Sequence, residues 1–142
     1  MTIARLIEGR SGPIISIEST ASVGEAVALL AEKRIGALPV TQDGSIVGIF
    51  SERDVVYGLA QHGAAMLDGP VGAAMTAPVI TVDPQTEVLE ALGLMTRRRV
   101  RHLPVVRGKA MVGFISIGDL VKYRIERIES EAQAMRSYIQ SA

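Results

Sequence analysis

The feature that most constrains this chain is an internal repeat. When residues 13–56 are shifted by 65 positions they align with residues 78–121 without a gap, and 15 of the 44 aligned pairs are identical. Of the other 29 pairs, nine exchange one large apolar residue for another. Because self-similarity at a fixed period indicates a duplicated structural unit, the two halves are expected to share one fold.

The first part of each copy predicts a strand followed by a helix. The runs PIISI (13–17) and PVITV (78–82) are rich in β-branched residues, which favour strands. Ser22 and Glu25 have the spacing of a helix capping box, and Pro84 falls where a first helical turn tolerates proline. The apolar residues that follow have the spacing of a helix with one buried face. They are Val23, Ala26, Val27 and Leu30 in the first copy and Val88, Ala91, Leu92 and Met95 in the second.

The second part of each copy predicts two strands around a turn and then another helix. The turns are at 42–44 and 107–109, and the helices are expected to begin at Ser51 and Ser116. A copy of roughly 55 residues buries little surface alone. We therefore expect an α+β fold of two β-α-β-β-α repeats, packed sheet to sheet with pseudo-twofold symmetry and a cleft between them.

This repeat divides the chain into four parts. An N-terminal segment (1–12) precedes the first repeat (13–68), and the second repeat (69–125) follows directly. Residues 126–142 form a C-terminal amphipathic helix extension.

Composition excludes several kinds of site. Hydrophobic residues make up 48% of the chain and aromatic residues 4%, so the core is expected to be aliphatic. Fifteen basic and fifteen acidic residues cancel, which disfavours a long-range attraction to nucleic acid or to an anionic membrane. There is no cysteine, which excludes disulfides and thiolate catalysis, and two histidines are too few for a histidine-rich metal centre. Without an apolar targeting or membrane-spanning segment, the expected compartment is the cytoplasm.

Both copies carry a Ser-x-x-Asp unit after a glycine and two apolar residues. The units are Ser51 with Asp54 and Ser116 with Asp119. One interpretation is a helix cap, in which the serine accepts a backbone hydrogen bond and the acid suits the positive helix end. The other is a ligand site, because a helix start binds phosphate and a carboxylate can accept both hydroxyls of a ribose.

The repeated helix, the apolar-Pro-Val motif and the Gly-apolar-apolar-Ser-x-x-Asp motif together resemble a tandem pair of CBS domains, a regulatory module also called a Bateman module. The resemblance covers about residues 10–125. It implies a single unit with two clefts that bind adenosine-containing ligands such as AMP, ADP, ATP, NAD or S-adenosylmethionine. Asp54 and Asp119 would each hold a ribose, with Ser51 and Ser116 near the phosphates or backbone. Many members have threonine at the serine positions, which keeps the hydroxyl.

The resemblance also implies the walls of each cleft. The cleft with Asp119 would be formed by Ile15, Ile35, Gly36, Ala37 and Phe114. The cleft with Asp54 would be formed by Ile49, Ile80 and Val100. Arg101 and His102 occupy the positions that hold Gly36 and Ala37 in the first copy, and they are expected to contact phosphate.

The C-terminal extension has apolar residues spaced alternately by four and three positions. These seam residues are Val121, Ile125, Ile128, Ala132, Met135 and Ile139. The spacing is typical of a coiled coil, and three heptads alone are marginal, so the seam is expected to pack against a partner or against the body of the chain. A homodimer is the favoured arrangement, and a helix packed on its own core is the alternative.

The leading functional interpretation is a module that senses an adenine nucleotide and signals to an unknown downstream protein in trans, with no required cofactor. An enzyme is disfavoured because the chain has no Walker-type loop, no Ser-His-Asp set and only one acid in each cleft. A nucleic-acid binder using the arginines of 97–102 is disfavoured by the zero net charge and the few aromatic residues. A structural dimer whose clefts have lost their ligand is the remaining alternative.

Overall fold

A computed structural model describes residues 1–10 and 12–141 of the chain. A 3₁₀ helix (Gly63–Asp68) joins the two halves. The other elements, in chain order, are α1 (Ile3–Glu8), β1 (Ile17–Glu18), α2 (Val23–Lys33), β2 (Ala37–Gln42), β3 (Ser45–Ser51), α3 (Glu52–His62), α4 (Val71–Ala74), α5 (Val88–Arg98), β4 (His102–Arg107), β5 (Ala110–Ser116) and α6 (Ile117–Ser141).

The two hairpins confirm the repeat at the level of strand register. In the first, Ala37 pairs with Ser51, and in the second His102 pairs with Ser116, the matching positions of the alignment. Each hairpin also has a register shift at the same place. The predicted turns therefore lie in the same register in both copies, so each serine ends its strand at the start of a helix.

The first strand of each copy is shorter than predicted. In the first copy only Ile17–Glu18 pairs with β2, in parallel, and in the second copy only Val82 forms a bridge, to Val105. Residues 13–16 lie outside the sheet. Ile14 and Ile15 are half-buried there, whereas Pro13 and Ser16 are exposed, so the β-branched run covers the core without forming a paired strand.

The helix starts show one correct prediction and one error. The side chain of Ser22 accepts the backbone N–H of Glu25 at 3.1 Å, as the capping box predicts. In the second copy the helix begins only at Val88, so the prediction that Pro84 lies in its first turn is wrong. Pro84 instead lies in a turn closed by the Asp83 carboxylate, which accepts a backbone N–H two residues on at 2.7 Å.

Each repeat has its own aliphatic core. Each core is completed by the lead-in segment of the other repeat, which is the stretch before its first aligned strand: residues 1–10 contribute to the core of the second repeat, and residues 69–77 contribute to the core of the first. Ile3 is fully buried among residues of the second repeat, and its backbone N–H donates to the carbonyl of Thr86 at 2.9 Å. Val71 is fully buried in the first repeat and donates to the carbonyl of Ala21 at 2.8 Å. This exchange of lead-in segments binds the two repeats into one unit. The boundaries after residues 12 and 68 stay predictions.

The second helix of the second repeat and the described part of the C-terminal extension form one helix, α6, of 25 residues. Its residue Leu120 is buried, whereas the large seam residues are exposed, from 43% of Val121 to 64% of Ile139. The described part of the seam therefore does not pack on the body of its own chain. Among the described residues, no helix has both the length and the apolarity needed to cross a membrane.

Candidate functional site

The candidate site is a cavity of about 490 Å³ at the junction of the two repeats. One wall comes from the first repeat, from the extended chain before β1 and the loop before β2. Its predicted site residues are Ile15, Ile35, Gly36 and Ala37. The facing wall comes from the second hairpin and the start of α6. Its predicted site residues are His102, Phe114, Ser116 and Asp119. The structure thus brings together the whole set expected around Asp119, and a role in binding stays a prediction.

Asp119 lies at the start of α6, where the backbone of Ser116 and the guanidinium of Arg10 contact its carboxylate. Oδ2 accepts the backbone N–H of Ser116 at 2.8 Å, and the backbone N–H of Asp119 donates to the Ser116 hydroxyl at 3.1 Å. Nη2 of Arg10 lies 2.8 Å from the same Oδ2. Burial raises the pKa of the Asp119 carboxyl, but the Ser116 backbone hydrogen bond and the Arg10 guanidinium outweigh it, so this pKa lies below its ordinary value. The carboxylate is therefore ionised and ready to accept hydrogen bonds.

Arg10 is a residue of this site that the sequence interpretation missed. It follows α1, and besides contacting Asp119 its Nη1 donates to the carbonyl oxygen of Phe114 at 2.9 Å. Arg10 lies before the aligned repeat, and the residue 65 positions later is Met75, so no repeated motif points to it. Arg10 reaches the cavity only because the lead-in segment of the first repeat packs on the second repeat.

His102 and Phe114 form a stacked pair in the cavity wall, with ring centroids 5.4 Å apart and an interplanar angle of 12°. Burial lowers the pKa of His102, and the carboxylates of Asp119 and Glu52 oppose this without overcoming it. The imidazole is therefore neutral near pH 7, which suits stacking and hydrogen bonding better than ion pairing. Arg101 is exposed and does not line the cavity. Its contact with phosphate stays a prediction.

The residues expected around Asp54 have a different arrangement. Asp54 Oδ2 accepts the backbone N–H and the hydroxyl of Ser51, at 2.8 and 3.1 Å. Asp54 Oδ1 accepts the hydroxyl of Thr76 at 2.8 Å. Ile49 pairs with Thr76 through two backbone hydrogen bonds. Ile80 and Val100 pack against the core of the second repeat.

The lead-in segment of the second repeat fills the space over Gly48. A methyl group on Gly48 would lie 2.6 Å from Sδ of Met75 and 2.8 Å from the carbonyl oxygen of Thr76. A cavity of about 300 Å³ does border Asp54, but it lies between α3 and residues 66–74. Ile49, Ile80 and Val100 do not line it. The two clefts that the repeat predicts are therefore unequal in this structure.

The repeated fold and its cavity agree with the comparison to known families. The CBS domain family matches residues 10–61 and residues 71–126, one copy for each repeat. The chain belongs to the CBS domain family. The resemblance to a tandem CBS pair and the α+β fold expected from the repeat are thereby confirmed.

Relatives of this CBS pair include proteins from plants, bacteria and archaea. The chain is 38% identical over 124 residues to the CBS domain-containing protein CBSX3, mitochondrial, of Arabidopsis thaliana. That match covers 84% of this chain and 60% of the length of the plant protein. The plant protein is named as mitochondrial, and the cytoplasmic location of this CBS pair stays a prediction.

Two solved CBS structures share the architecture. The CBS-domain containing protein ATU1752 from Agrobacterium tumefaciens has a TM-score of 0.83 and 37% identity, covering 87% of this chain and 99% of that one. The CBS domain protein PAE2072 from Pyrobaculum aerophilum, complexed with AMP, has a TM-score of 0.73 and 31% identity. Here the match covers 84% of this chain and 89% of that one. Within the described residues of this CBS pair, no group of three or more histidine and acidic side chains could hold a metal ion.

Proposed function

We propose that this CBS pair is a regulatory module that binds one adenine nucleotide in the cavity between its repeats and signals to a protein partner in trans. The observation that carries the proposal is the ionised carboxylate of Asp119 at the edge of a cavity of about 490 Å³. Cavities of this size and largely apolar lining are typical of small-molecule sites. The AMP bound to PAE2072, a CBS protein 31% identical to this chain, supports the choice of ligand.

The chemistry of the walls fits each part of such a ligand. A carboxylate accepts two hydroxyl donors, so Asp119 can hold the 2′- and 3′-hydroxyls of a ribose. Aliphatic side chains such as Ile15 and Ile35, with the His102–Phe114 stack, offer apolar surfaces for a flat base. Among the described residues, none makes a backbone hydrogen bond to Ile14 or Ile15. Their N–H and C=O groups are therefore available to the edge of an adenine.

The cleft at Asp54 is proposed to stay empty in this conformation. Both oxygens of Asp54 already accept hydrogen bonds, and Met75 and Thr76 cover Gly48. A ligand there would have to displace this backbone segment. The nucleotide is therefore expected at one site per chain, beside Asp119.

We propose that a second copy of the chain binds along the seam of α6. Six apolar residues follow the heptad spacing of a coiled coil, and none of the six is buried by its own chain. Because α6 also carries Asp119 in its first turn, a change at the nucleotide site has a direct route to the dimer. This continuity is the basis for proposing regulation rather than storage of the ligand.

Thermal unfolding with a panel of AMP, ADP, ATP, NAD and S-adenosylmethionine tests the nucleotide proposal. A ligand at about one hundred times its dissociation constant stabilises the fold by ~2.7 kcal/mol. We expect Asp119→Ala to remove this stabilisation while the variant stays folded, and the matched Asp54→Ala variant to keep it. If no compound stabilises the wild type, the chain is a structural dimer module and the nucleotide proposal fails.

A further inference from the structure

Arg10 occupies the carboxylate that the proposed ligand needs. In the structure its guanidinium lies 2.8 Å from Oδ2 of Asp119 and donates to the carbonyl of Phe114 at 2.9 Å. Oδ2 of Asp119 already accepts from Ser116 and Arg10, so a ribose whose two hydroxyls bind both carboxylate oxygens competes with the first of these contacts. A bare nucleoside offers the freed guanidinium no anion in exchange, whereas a nucleotide carries its phosphate on the same ribose.

The charge of the cavity makes Arg10 the natural partner of that phosphate. Of the described residues that line the cavity, Arg10 alone carries a permanent positive charge, since His102 is neutral near pH 7. An arginine fork binds phosphate through two parallel charge-assisted hydrogen bonds. The Arg10 and Asp119 side chains are 40% and 35% exposed, so their mutual pair is weak and readily exchanged.

We infer that Arg10 is the specificity-determining residue of this site: it holds Asp119 when the site is empty and transfers to the ligand's phosphate when a nucleotide binds. Arg10 thereby selects phosphorylated over unphosphorylated adenosine compounds. This inference rests on the proposed nucleotide function.

The difference between the two lead-in segments at this position suggests a substitution for the test. The position that matches Arg10 in the second lead-in segment is Met75, which carries no charge and cannot form such a pair. Arg10→Met therefore installs a residue that the chain already uses at the equivalent place. Arg5→Met, which removes an exposed arginine of α1 outside the cavity, is the matched control.

The experiment is a calorimetric titration of wild type, Arg10→Met and Arg5→Met with AMP and with adenosine. We expect wild type and Arg5→Met to bind AMP at least about tenfold more tightly than adenosine. In Arg10→Met the AMP affinity should fall while the adenosine affinity is kept or rises, because Asp119 no longer has a competitor. The ratio of the two affinities should then lie within about threefold.

Two results would overturn the assignment, and they differ from failure of the function itself. If Arg10→Met weakens AMP and adenosine equally, Arg10 only positions Asp119 and does not select phosphate. If neither affinity changes, Arg10 has no part in binding. If wild type binds neither compound nor any other adenine nucleotide, the proposed function fails first, and the inference with it.

Discussion

Thr76 donates its hydroxyl to Oδ1 of Asp54 at 2.8 Å, and this contact fixes the segment that leads into the second repeat onto the first repeat. The matching carboxylate, Asp119, is held by Arg10 instead. A duplicated sequence has therefore produced one covered cleft and one open cavity. The difference originates in the lead-in segments and not in the repeated motifs.

The close packing over Gly48 predicts a specific cost for a side chain there. Gly48→Ala should destabilise the fold by ~1–3 kcal/mol, the usual range for overpacking, because its methyl group meets the backbone oxygen of Thr76, which cannot rotate away. Urea unfolding measures this difference. Gly36→Ala is the control, since the nearest atom to its methyl group, in Glu52, is 3.7 Å away. Equal effects of the two substitutions would show that the segment at Thr76 is loosely held.

The burial of His102 predicts a loss of stability in mild acid. Because its folded pKa lies below the unfolded value of about 6.5, the folded state binds fewer protons than the unfolded state as the pH falls through this range. The stability is complete above about pH 6.5 and decreases as the pH falls towards the folded pKa.

This loss can be assigned to the imidazole by substitution. His102→Phe keeps a ring to stack on Phe114 and removes the titrating group, so its free energy of unfolding should change less between about pH 7.5 and about pH 5.5 than that of the wild type. His62→Gln controls for removal of an exposed histidine elsewhere. The explanation is wrong if His102→Phe loses as much stability in acid as the wild type does.

The exposed seam of α6 predicts the oligomeric state. Sedimentation equilibrium should give twice the chain mass of 15.1 kDa for the wild type. A variant with Ile125→Glu and Ile128→Glu should give the monomer mass, because it places like charges at an apolar contact. Ser130→Glu, on the opposite side of the helix, is the control and should stay dimeric. A wild type that is monomeric at high concentration would contradict the seam as an interface.

Much of the fold follows from the repeat because local patterns and packing agree in both copies. The apolar stripe of α2 predicts its buried residues, and the serines at the ends of β3 and β5 predict the helix starts. The residues around Asp119 could be named because the resemblance to a CBS pair implies them. These features depend on local sequence motifs and on the pseudo-twofold relation between the two repeats.

The remaining features depend on the path of the chain between the repeats. Ile3 and Val71 are buried in the opposite repeat, and no periodicity in the sequence predicts that exchange. Arg10 reaches Asp119, and Thr76 reaches Asp54, only because of it. The same exchange explains why Ile49 pairs with a lead-in segment and does not line an open cleft.

A crystal structure of the protein with AMP is the most direct test of the account. It should show one nucleotide per chain in the junction cavity, with both ribose hydroxyls within hydrogen-bonding distance of the Asp119 carboxylate and Thr76 still bound to Asp54. A nucleotide beside Asp54, or a ribose that makes no contact with Asp119, would contradict the central claim.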